Sequence, residues 1–127
     1  FTPAAPSVGK IKKNGDEGLT LDLVQTTDVL ASLSAERTRP GQVVVGFAAE
    51  TASDEAELLE LGRGKLERKG CDLLVLNNVS RGAVFGASSN DVIVIDAEGV
   101  VRSASGDKSV VAHVILDAAV RRGQEQL

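Results

Sequence analysis

The sequence predicts an α/β fold: a three-layer Rossmann-like sheet, of which this chain holds the C-terminal portion. Three observations carry that reading. Val43-Val44-Val45 is a short β-branched run that opens into Gly46-Phe47-Ala48-Ala49-Glu50, as a buried strand opens into a loop. A second apolar run at 72–76 follows a stretch with helical spacing, and strand–helix–strand of this length is a βαβ unit with parallel strands and a right-handed crossover. A third run at 91–96 turns back through Ala97-Glu98-Gly99 as an antiparallel hairpin.

Taken in order, residues 1–18 are rich in Pro, Gly, Lys and Asp and lack periodicity; they read as an exposed, mobile loop carrying Lys10-Ile11-Lys12-Lys13. Leu19-Thr20-Leu21-Asp22-Leu23 alternates apolar and polar residues, the pattern of a half-buried strand. Thr27 or Asp28 can cap a helix reaching about Arg37, with Val29, Leu30 and Leu33 on one face. Pro40-Gly41 is a turn, and 42–47 is a strand. Ser53 or Asp54 caps a longer helix to Lys69, ended by Gly70. Residues 72–76 form the next strand and 77–90 a loop of Asn, Ser and Gly. The hairpin returns over 100–103, and Asp107 or Ser109 starts a last helix to about Arg122.

Composition bounds the function. A chain of 127 residues fits one domain, and 43% apolar with 25% charged residues is ordinary for a globular protein. With aromatics at 2%, the core must be Val, Leu, Ile and Ala. A net charge of −4 argues against nonspecific nucleic-acid or membrane-surface binding. No apolar run approaches the roughly 20 residues of a membrane span. The lone cysteine and the lack of a visible signal peptide predict a cytoplasmic protein. No methionine occurs, even at position 1, so the chain is read as part of a longer product.

In open α/β sheets ligands bind beyond the carboxyl ends of the strands, which puts the 46–50 loop at a nucleotide-sized site. Lys65 and Lys69 stand four apart and share a helix face, where like charges repel slightly unless an anion bridges them. The plainer reading is two solvated lysines favouring the helix C-terminus. By charge pattern alone, Lys10, Lys12 and Lys13 are a solvated basic loop. Phe47 is either core or the wall of a ligand site, and Asp28 is at least an N-cap. His113 and Asp117, four apart, read as a surface pair; Cys71 reads as a small buried filler. No His, Cys and carboxylate cluster suggests a metal site. No Gly-x-Gly-x-x-Gly occurs, which weakens a nicotinamide-dependent reductase and places any phosphate loop upstream of Phe1.

Lys10-Ile11-Lys12-Lys13, Asp28-Val29-Leu30-Ala31, Gly46-Phe47-Ala48-Ala49-Glu50-Thr51, Lys65-Leu66-x-x-Lys69-Gly70-Cys71-Asp72-Leu73, Asn77-Asn78-Val79, Phe85 and Ser89-Asn90-Asp91 together resemble bacterial phosphopantothenate–cysteine ligase. In that family the ligase is often fused behind an FMN-dependent phosphopantothenoylcysteine decarboxylase in coenzyme A biosynthesis. The resemblance covers nearly the whole chain. It implies that residues 1–127 are the C-terminal portion of one CTP-binding ligase domain. The reaction it implies joins 4′-phosphopantothenate to cysteine through an acyl-cytidylate, with CTP becoming CMP and pyrophosphate and Mg2+ arriving with the triphosphate.

The resemblance also implies roles. Lys10 would be the loop lysine that reaches the triphosphate and the acyl-cytidylate, and the catalytic residue. Thr27, Asp28, Val29 and Leu30 would contact the nucleotide, Phe47 would wall it, and Lys65 and Lys69 would hold its phosphates. Ala48 and Ala49 would allow close approach. Asn78 stands where the family usually has aspartate, and the family's glycine-rich phosphate segment, substrate-binding asparagine and arginine fall upstream of Phe1. The family implies a homodimer, with 19–23 and the hairpin at its two-fold interface. The competing class is a nucleotide-binding and dimerisation fragment without catalysis.

Overall fold

The computed structural model describes residues 1–13, 15, 18–79 and 89–126. After the two-residue strands β1 (Thr2–Pro3) and β2 (Leu23–Val24) come α1 (Val29–Ala35), β3 (Val45–Glu50), α2 (Glu55–Lys69), β4 (Leu73–Asn78), β5 (Ser89–Ile95), β6 (Val100–Asp107) and α3 (Lys108–Glu125). β3 to β6 form one sheet in the order β3-β4-β5-β6. β3 and β4 are parallel, from Val45 opposite Leu73 to Glu50 opposite Asn78. β5 and β6 add antiparallel strands.

β4 explains the layering. Leu73, Leu74, Val75 and Leu76 are all buried, as in a strand covered on both faces. Leu74, Leu76 and Ile95 pack with Leu58 and Leu66 of α2 and Leu30 of α1. Leu73, Val75, Val92 and Val94 pack with Val111 and Ala118 of α3. The result is three layers: α1 and α2, the sheet, and α3. Along β5 ordinary alternation sends Val92 and Val94 to the α3 face and Ile93 and Ile95 to the α2 face.

α2 is set at both ends and pressed close in the middle. Asp54 caps it by accepting the Glu57 N–H at 2.9 Å, and the Glu57 carboxylate reaches back to the Ser53 N–H and hydroxyl. Gly70 ends it at φ 65°, where its N–H donates to Leu66. Between them Gly62 lies against Leu76 and Ile95; a Cβ there would come within 2.5 Å of Leu76 Cδ1.

The opposite rim is tied by one guanidinium. Arg37 donates to both Asp72 oxygens at 2.9 and 2.8 Å, and to the carbonyls of Ser34, Gln42 and Gly70 at 3.0–3.1 Å. Asp72 also accepts from the Val44 N–H at 2.7 Å and from Gln126 at 3.1 Å. Burial alone would raise the Asp72 carboxyl, but the bonds from Arg37, Val44 and Gln126 outweigh it and hold the group below its ordinary 3.8. A depressed folded-state pKa gives stability that is present above the unfolded value and lost as pH falls through the folded one. Asp72→Asn is therefore expected to flatten the acid limb of the stability curve below about pH 4. Urea midpoints taken across pH 2–6 read this, and parallel acid limbs in both proteins would refute it.

Five sequence expectations need correction. The loop expected over 46–50 is strand: β3 starts at Val45, not 42, and runs through Gly46-Phe47-Ala48-Ala49 to Glu50, paired with β4 as far as Asn78. The strand at 19–23 shrinks to Leu23, which with Val24 pairs with Thr2 and Pro3 in a separate two-stranded sheet. Leu19, Leu21 and Leu23 are all more than half exposed, so their alternation finds no face to pack on. The helix after Asp28 stops at Ala35 because Glu36 leaves helical geometry and Arg37 is drawn into the rim; of its apolar residues Leu30 packs on the core, while Val29 and Leu33 stay exposed. The hairpin is longer than 91–103: β5 begins at Ser89 and β6 runs to Asp107. Asp96 sets its turn by accepting from the Glu98 and Gly99 N–H groups. His113 does not pair with Asp117; its Nδ1 sits 2.6 Å from the Ser109 carbonyl, one turn back. Cys71 is buried as expected, and burial pushes its thiol above the ordinary range.

Candidate functional site

Strand alternation decides which residues of β3 can meet. Gly46, Ala48 and Glu50 face α2, while Phe47 and Ala49 face the α3 side. On α2, Leu58, Gly62 and Leu66 form the buried stripe. Lys65 and Lys69 flank it, one turn apart and half-buried. Each lysine finds a carboxylate: Lys65 pairs with Glu50 at the end of β3, and Lys69 pairs with Asp28 at the start of α1. Asp28 also caps α1, accepting the Ala31 N–H at 3.1 Å. Lys69 first, then that N–H, holds the Asp28 carboxyl below its ordinary value.

The two like charges on α2 are thus neutralised by carboxylates from two different elements. Such pairs can receive a polyanion, since each ammonium keeps donors for phosphate oxygens beside its carboxylate. Glu50 is the residue that the sequence reading passed over. The signal was available: with Gly46 and Ala48 facing α2, a period of two puts Glu50 there as well.

The loop behind Glu50 is pinned. Val79 donates to the Glu50 carbonyl at 2.8 Å. The Asn78 side chain donates to the Ala52 carbonyl at 2.9 Å and accepts from its N–H. An aspartate could only accept, so asparagine fits this position as a structural tether.

The remaining candidates lie elsewhere. Leu30 is a packing residue: a Cβ on Gly46 would come within 2.7 Å of Leu30 Cδ2, so Gly46 makes room for α1 against β3. Thr27 and Val29 are exposed. Phe47 is 69% exposed and is not a core residue. It lines an open cavity of about 530 Å³ between β3, β4 and α3, with Val75, Asn77, Asn90, Lys108 and Ile115 around it. The sheet therefore separates Phe47 from the two lysines. Lys10 is exposed and has no hydrogen bond or ion pair among the described residues. Phe85 lies outside the described residues. Among the described residues no three His, Cys, Asp or Glu side chains gather to hold a metal ion, and no helix is long and apolar enough to cross a membrane.

Comparison with known proteins gives this geometry a family. The coenzyme A biosynthesis bifunctional protein CoaBC of Mycolicibacterium smegmatis is 40% identical over 124 residues, 93% of this chain and 30% of the relative. CoaBC of Bacillus subtilis is 41% identical over 100 residues, 78% of this chain and 23% of the relative. The chain thus spans less than a third of the length of these relatives. Among solved structures, the C-terminal domain of a CoaBC superposes with a TM-score of 0.60 at 27% identity, covering 79% of this chain and 46% of that one. The DNA/pantothenate metabolism flavoprotein of Streptococcus pneumoniae shares the fold at a TM-score of 0.67 and 18% identity, covering 83% and 43%. The DNA/pantothenate metabolism flavoprotein C-terminal domain matches residues 1–122, and the chain belongs to that family.

Proposed function

We propose that residues 1–127 form the C-terminal, CTP-binding portion of a phosphopantothenate–cysteine ligase acting in coenzyme A biosynthesis. The observation that carries this is the pair of α2 lysines, one turn apart and each held by a carboxylate from another element. Relatives named for coenzyme A biosynthesis support the pathway.

In this reading CTP lays its phosphates along Lys65 and Lys69. The exposed backbone at Thr27, Asp28 and Val29 meets the base, with Leu30 anchoring that segment from below. Phe47, on the α3 face of β3, lies across the sheet from these lysines and has no part in this reading. The carboxylate of 4′-phosphopantothenate attacks the α-phosphate and pyrophosphate leaves; the cysteine amine then displaces CMP from the acyl-cytidylate. Negative charge grows on phosphoryl oxygens in the first step, where fixed cations are most effective. Lys10 brings its charge there from the loop. Mg2+, carried in on the triphosphate, offsets phosphate charge. FMN would belong only to a decarboxylase domain outside residues 1–127, where one is fused, and the ligase domain works as a homodimer in the cytoplasm.

Lys65→Gln and Lys69→Gln are each expected to weaken CTP binding about tenfold or more, the usual loss for one charge-assisted hydrogen bond. Calorimetry on the full-length protein measures it. Folded variants that bind CTP as wild type does would return both lysines to the solvated surface and remove the nucleotide reading.

A further inference from the structure

Glu50 has no place in the chemistry above, yet it is the more deeply set partner of the Lys65 pair. Its side chain is 14% exposed, against 34% for Lys65. Its backbone is fixed by β4 at two points: it stands opposite Asn78 in the parallel ladder, and its carbonyl accepts the Val79 N–H. Two residues on, Ala52 is gripped by the Asn78 amide. The carboxylate therefore sits on rigid strand, while the ammonium rides a flexible four-carbon stem from α2.

We propose that Glu50 is a positioning residue for phosphate binding: it fixes the Lys65 ammonium at the end of β3 and aims its remaining hydrogens at an incoming phosphate. The inference rests on Lys65 contacting a phosphate. An ammonium has three donors. One on Glu50 leaves two for phosphate oxygens, so the pair need not break when the ligand arrives. A lysine–glutamate pair serves the same end in protein kinases, where it must be in place for the lysine to hold the nucleotide phosphates. The neighbouring pair is built differently. Asp28 is 44% exposed and already caps α1, so the carboxylate of the Lys69 pair stands in solvent, where it fixes its partner less firmly.

The test is a double-mutant cycle in the full-length protein, read as the CTP dissociation constant with magnesium present. Glu50→Gln should weaken CTP about fivefold to tenfold, and Glu50→Gln with Lys65→Gln should bind within about twofold of Lys65→Gln alone, because coupled residues lose their effect once. Glu50→Asp keeps the charge but withdraws it by one methylene, and should fall between wild type and Glu50→Gln. A purely structural glutamate would instead give losses that add to those of Lys65→Gln. Additive losses, or Glu50→Gln binding CTP as tightly as wild type or tighter, would overturn the proposal while leaving the nucleotide site intact. Wild-type CTP affinity in Lys65→Gln would overturn the nucleotide reading and this inference with it.

Discussion

Gly62→Val is expected to destabilise the protein by about 3 kcal/mol, at the upper end of what overpacking a core costs. The site offers no relief. An added Cβ meets Leu76 Cδ1 at 2.5 Å, Leu76 Cδ2 at 2.9 Å and Ile95 Cδ1 at 3.0 Å. Leu76 and Ile95 are themselves fully buried, so they can yield only by displacing others. α2 must then lift from β4, and with it Lys65 and Lys69. Gly64→Ala supplies the control: nothing lies near its Cβ position. There alanine should stabilise by up to about 1 kcal/mol through helix propensity alone. Urea unfolding midpoints of the two variants should move in opposite directions. A Gly62→Val midpoint equal to wild type would mean that α2 does not pack on Leu76 as described.

Lys10→Gln is expected to slow ligation by about 100-fold or more, the loss typical of removing one donor to developing charge, while CTP affinity changes by no more than about threefold. Lys10 is exposed on its loop, with Lys12 and Lys13 beside it. Among the described residues nothing apolar anchors that loop: Val8 and Ile11 are also exposed. A charge so placed contributes little to the resting site and most when phosphate charge builds up. Closure over the acyl-cytidylate would also keep water from the activated carboxyl. The measurement pairs the rate of phosphopantothenoylcysteine formation with the CTP dissociation constant. A variant that ligates at the wild-type rate would leave Lys10 a solvated loop lysine.

Much of the fold could be read from local pattern, because its strongest elements are locally specified. β4 is apolar from Leu73 to Leu76, Asp54 and Gly70 bound α2, and Ala97-Glu98-Gly99 turns the hairpin. What resisted reading depends on contacts distant in sequence. The alternation at Leu19, Leu21 and Leu23 meets the strand template, but no described element covers it. Helix propensity would carry α1 through Arg37; the end is decided by Asp72, 35 residues away. The site followed the same division. Spacing alone put Lys65 and Lys69 on one face, but their carboxylate partners come from other elements. Of the two readings open for Phe47, the core one fails because its strand is at the sheet margin, where one face stays open.

The Arg37 rim also bears on how long the folded state lasts. Arg37 reaches across 35 residues to Asp72, and Gln126 reaches back 54 to the same carboxylate. Contacts of such separation form only after the intervening βαβ unit has closed, since loop-closure entropy must be overcome first. Interactions that are absent from the folding transition state act on escape from the native basin. The rim is therefore a brake on unfolding. Loosening it shortens the lifetime of the native chain and leaves the rate of folding nearly untouched.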